Sequence, residues 1–280
     1  MKDAKSKWLI GCGIGCGVLI LLFIFGGVGV YQYFRTMFVD FEHAGESQTE
    51  LLEAYGDVAE FTPRADGTIP AERIEAFLRV RDAQVDVRGA LAARFKELKK
   101  IDEEDDESFR VVFSAVKSGL GFGKLIGTLM KRRNEALLDQ NMGLGEYIYI
   151  YVISYNAWLQ KKMAIGFEVE EENHSHDPEV SGQVRLLLKT MLDMLRNQLS
   201  AIEISGDPAG LKVPLEAEIA AMEADRYRIP WQDGVPDPIL LSLEPFGAQL
   251  EEVYDPFAGI LDLVVDEKDK KGGFFHIKMD

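Results

Sequence analysis

The chain has 280 residues, with 47 Asp and Glu against 31 Lys and Arg and a formal net charge of −16. That balance argues against nucleic acid or an anionic lipid surface as partner, because both reward basic patches. The two cysteines, Cys12 and Cys16, lie close to the N-terminus, so everything downstream has no disulfide and depends on its core.

The first element in chain order is the run Trp8–Val30, which contains no charged residue and thirteen Leu, Ile, Val or Phe. At about 1.5 Å per helical residue it is long enough for a hydrocarbon core of about 30 Å. Trp8 at one end and Tyr31 and Tyr33 at the other fall where interfacial aromatics sit. Lys2, Lys5 and Lys7 precede the run, and the twenty residues after Arg35 have no Lys or Arg. Positive charge stays inside, so the expected topology is a cytoplasmic N-terminus and an extracytoplasmic body. A cleaved leader would have a shorter apolar region ending in a small-x-small site, whereas this run ends in bulky residues. Leu9-Ile10-Gly11-Cys12 has the form of a lipidation box but lacks an apolar stretch before it. Gly11, Gly13, Gly15 and Gly17 make two overlapping small-xxx-small pairs, a face for packing against a second span or a second copy.

Of the charged residues, four basic and one acidic lie in 1–35, so 36–280 carries a net charge of −19. The expected organisation is a cytoplasmic segment 1–7, an anchor 8–33, then a stalk and first helix 34–60. The first half of a helical domain follows over 61–166, then an acidic linker 167–178, a second half 179–265 and a charged tail 266–280. Thr62–Gly67 is turn chemistry. Pro70, followed by Glu72 and Glu75, starts a helix that runs to about Lys100, with Ile74, Phe77, Leu78, Val87, Leu91, Phe95 and Leu98 recurring at three and four. Asp102–Glu107 is a solvated charge run, and a glycine-rich amphipathic stretch occupies Phe109–Leu138. Over 147–159 the pattern fits a strand or a helix; the helical neighbours favour helix. Pro178 opens a helix to about 204, with Val184, Leu187, Leu188, Met191, Leu192, Leu195 and Leu199 as its core face. Pro214 starts another to about Arg226, and shorter helices are expected at about 238–243, 246–254 and 257–264. The fold class is thus mainly α: one N-terminal transmembrane helix and an all-α, bundle-like extracytoplasmic domain.

Three constellations invite chemistry. Gly119–Lys124 is glycine-rich, but a phosphate-binding loop needs glycine at Ser118 and a hydroxyl at Leu125, so close helix packing explains it better. His174 and His176, with Glu172 and Asp177, offer imidazole and carboxylate to a divalent metal, although the spacing is that of a solvated linker. Tyr147, Tyr151, Tyr155 and Trp158 share a helical face beside Glu146. Inward, such a stripe is core; outward, it binds a partner or a sugar. No catalytic residues and no cofactor are assigned. The expected function is a single-pass, membrane-anchored acidic module that binds or scaffolds envelope proteins, itself included as a homo-oligomer, with the lipid bilayer as its anchor and no nucleic acid. The alternative is a membrane-tethered, carboxylate-dependent hydrolase or sugar-binding protein.

Overall fold

A computed structural model describes residues 46–99, 122–161 and 178–255. The expected anchor with Gly11, Gly13, Gly15 and Gly17, the acidic linker with its histidines, the helix at 257–264 and the charged tail lie outside these residues. Among the described residues there is no strand, and no helix is long and apolar enough to cross a membrane.

The chain is helical over 46–55 (α1), and Gly56 ends this helix at φ +77°, its N–H donating to the Leu52 carbonyl at 2.9 Å. A 3₁₀ turn at Val58–Glu60 follows. The Thr62–Gly67 stretch turns as its residues dictate. Asp66 Oδ1 accepts from the Thr68 N–H at 3.0 Å and its hydroxyl at 2.7 Å, and Gly67 takes φ +73°. A Cβ on Gly67 would lie 2.9 Å from a Leu211 methyl, so this turn packs closely on the other half of the chain.

The helix expected from Pro70 to Lys100 is two helices, α2 (Ala71–Asp82) and α3 (Val85–Lys99). The break at 83–84 has a local cause. The Gln84 side-chain amide donates to the Val80 carbonyl at 3.0 Å, and Arg88 donates to the Arg81 carbonyl at 2.7 Å. Side chains thereby take acceptors that the next backbone N–H groups would have used. Helix α4 (Phe122–Asp139) packs on α2 and α3. It closes in a Schellman motif: Asn141 stands at φ +50°, with Met142 N–H bonded to Leu137 O and Asn141 N–H to Leu138 O.

The ambiguous 147–159 run is helical. α5 (Leu144–Tyr151) continues without interruption as a π-helix over Val152–Trp158, with the Leu159 N–H reaching back to Ser154 O. Residues spaced by four drift around a 3.6-residue turn, and the wider π turn keeps Tyr147, Tyr151 and Tyr155 on one buried face. Gly145 explains how closely this helix seats, since a Cβ there would meet the Val58 carbonyl at 2.5 Å and Phe61 Cβ at 2.8 Å.

Helix α6 (Pro178–Ser205) pairs with α7 (Lys212–Ala224) and lies against the 58–60 turn. Val184, Leu187, Leu188, Met191 and Leu195 are buried as the periodicity implies, while Leu192 and Leu199 are half-buried. Asp207 caps α7 by accepting from the backbone N–H groups of Leu211 and Lys212. The remainder is α8 (Asp237–Leu243), a 3₁₀ turn (Glu244–Phe246) and α9 (Gly247–Glu252). One core runs from Leu51 on α1 to Leu250 on α9, while α3, with Val87 and Leu91 buried, packs on α4 outside it.

Candidate functional site

The tyrosine stripe forms part of that core. Tyr147, Tyr151 and Tyr155 are 3% exposed or less, and their rings follow one another at 6.4 and 4.8 Å before meeting Tyr254 at 5.1 Å. Phe77 packs on all three. Trp158 is half-buried, its ring so close to Gly247 that a Cβ there would lie 3.1 Å from it. Glu146 does not join these aromatics. Arg73 holds it in a bidentate pair at 2.7 and 2.5 Å, and hydrogen bonding to Glu146 raises the Arg73 pKa above its ordinary value. With the rings turned inward, an outward partner-binding face made of Tyr147, Tyr151 and Tyr155 has no exposed surface to use.

The core also contains cations that the sequence did not single out. Arg81 is fully buried, donates to Tyr147 Oη at 3.2 Å and lies 5.2 Å from the Tyr151 ring centroid. Arg81 and Arg88 both donate to the Val253 carbonyl, at 3.2 and 2.6 Å, so two guanidinium groups clamp the end of α9. The available signal was positional: Arg81 and Arg88 continue the Ile74, Phe77 stripe at helical spacing.

Among the described residues, a half-open cleft of about 580 Å³ lies between α6 and α7. Helix α6 supplies Arg185, Leu186, Leu188, Lys189 and Leu192; α7 and the residues after it supply Met222, Glu223, Asp225, Arg226 and Arg228. Residues 185, 189 and 192 share a helical face, so two cations and one leucine line the α6 wall. The opposite wall is stiffened by a buried clamp. Glu218, 7% exposed, accepts from Arg228 at 3.0 Å on each oxygen and from the Trp231 backbone N–H at 2.9 Å. Arg228 also donates to Asp233 at 2.7 Å. Its hydrogen bonds to Glu218, then to Asp233, hold the guanidinium above its already high ordinary pKa. Trp231 stands at φ +60°, a strained conformation for a bulky residue, and its side chain is buried.

The charges in the cleft are unevenly engaged. Glu223 is held by Arg196 at 2.7 Å, and Asp225 accepts from the Tyr227 backbone N–H at 2.9 Å. Among the described residues, Lys189 and Arg226 form no ion pair. Gly123 and Lys124 of the glycine-rich stretch begin α4, and Gly119 and Gly121 lie outside the described residues. His174, His176, Glu172 and Asp177 also lie outside them, and among the described residues no group of three His, Cys, Asp or Glu is placed to hold a metal.

Over the described residues, the class these features define is a mainly helical body with a cationic, apolar-floored cleft. Comparison with protein-family models, with curated proteins and with solved structures gives no match for this chain.

Proposed function

We propose that the chain is a single-pass membrane protein whose acidic helical body is a binding or scaffolding module on the extracytoplasmic side. The α6–α7 cleft carries this reading: it has an apolar floor, a buried clamp that stiffens one wall, and cations without an ion pair among the described residues, in a chain rich in acid. The charge-free run Trp8–Val30 and the lysines before it support the anchor and its orientation. The glycine pairs in that run support lateral association, with a second copy or another span.

The hydrolase alternative has less to stand on. Glu146 is tied to Arg73, the tyrosines are buried, and the cleft contains neither. The test of the scaffold reading is chemical crosslinking of the full-length chain in its native membranes. A discrete higher-mass complex is the expected result. A chain recovered only as monomer, across a range of crosslinker lengths, contradicts the proposal.

A further inference from the structure

We propose that the α6–α7 cleft receives an acidic amphipathic helix from a partner protein. This rests on the scaffold reading and assigns the partner its chemistry. The starting observation is an imbalance: with 47 acidic residues available to 31 basic ones, cations here have partners in excess. Elsewhere among the described residues the placed Lys and Arg side chains are engaged, in pairs such as Arg132–Asp86, Lys161–Glu251 and Lys212–Glu203, with Lys124 the exception. Among the described residues Lys189 and Arg226 form no ion pair, and they stand on the two walls of the same cleft.

Between those walls lie Leu192 and Met222, an apolar floor that charge alone would not need. A helix with a carboxylate edge and an apolar face satisfies both, its acids meeting Lys189 and Arg226 and a leucine-sized side chain reaching the floor. Arg185, one turn from Lys189 on α6, already has a partner, so Lys189 and Arg226 are the cations that set the acidic edge of the incoming helix. Asp225 is the acid in the cleft that opposes such a ligand, since Glu223 is neutralised by Arg196.

The test uses the full-length chain in neutral detergent micelles and a fluorescent synthetic helix bearing Glu pairs one turn apart and a leucine face. A second peptide has Lys in place of each Glu. The expected result is anisotropy showing saturable binding of the acidic peptide, weakened by salt. The double variant Lys189→Glu, Arg226→Glu is expected to lose at least about tenfold in affinity and to bind the Lys peptide instead. Both sites are on the surface, and an unchanged thermal melt shows that the variant is folded. The proposal is overturned if the acidic peptide does not bind, or binds parent and double variant within about twofold. It is also overturned if vesicles of phosphatidylglycerol in phosphatidylcholine show the charge dependence that the peptides lack. Native-membrane crosslinks in the parent, together with an acidic peptide that does not bind, would remove the cleft proposal and leave the scaffold reading standing.

Discussion

Glu218→Gln tests the clamp that shapes one wall of the cleft. The carboxylate accepts three hydrogen bonds, from Arg228 Nε, Arg228 Nη2 and the Trp231 backbone N–H. Glutamine preserves the volume, loses the charge and turns an N–H toward one of those donors. A hydrogen bond to a charged group contributes about 1.5–3 kcal/mol, and stranding a buried partner adds to the loss. Arg228 retains Asp233 and some solvent contact, which offsets part of it. The net loss should be about 2–3 kcal/mol, or a melting temperature lower by roughly 4–12 °C for a body of this size. Circular dichroism of the full-length chain in detergent measures the melt. Trp231 fluorescence should shift to the red as its loop loosens, because the strained φ of +60° is held by this clamp. A melt within about 0.5 kcal/mol of the parent, with unshifted fluorescence, would show that Glu218 does not hold the loop.

Three further outcomes follow from other parts of the fold. Gly145→Ala drives a methyl into the Val58 carbonyl and Phe61, a backbone contact that cannot swing away, and should cost about 1–3 kcal/mol in thermal unfolding. Tyr149 is buried, burial pushes its phenol far above the ordinary range, and its hydroxyl has no partner among the described residues. Tyr149→Phe should therefore leave stability unchanged or raise it by up to about 1–2 kcal/mol, and a clear loss would reveal a hydrogen bond to that hydroxyl. Burial pushes the Asp66 carboxyl up, but its hydrogen bonds from Arg64 and Thr68 outweigh this and keep its pKa below the usual value. A depressed folded-state pKa contributes stability above the unfolded value of about 3.9, and that contribution is lost as pH falls through the folded value. Asp66→Asn should flatten the acid limb of stability against pH, and an identical limb in parent and variant would contradict this.

Much of the helical layout was legible because it depends on local chemistry. Pro70 and Pro178 mark helix starts, and the three-and-four spacing of Val184, Leu187, Leu188, Met191 and Leu195 marks the inner face of α6. The break at 83–84 was not legible, since it depends on which side chains capture two carbonyls. The burial of Arg81 and Arg88 depends on the Val253 carbonyl at the end of α9, which lies over 160 residues away in sequence. The cleft was hidden for the same reason. Lys189 and Arg226 are separated in sequence and meet only when α6 and α7 pair, and periodicity identified the apolar face of α6 without its cationic neighbour. Over 147–159 two periods fitted equally, and packing around Phe77 and Phe61 resolved the run as helix.

The proposal on which the rest depends is an uncleaved anchor with an outward body, and one labelling experiment addresses it. The native cysteines, Cys12 and Cys16, lie inside the apolar run, so Ile204→Cys, at an exposed position outside the cleft lining, adds the one thiol placed outside that run. In intact cells a membrane-impermeant maleimide should label this variant and not the parent, and the labelled full-length chain should stay in the membrane after alkaline extraction. Labelling that requires permeabilised cells, or a labelled product shortened at its N-terminus and released by alkali, would contradict the account.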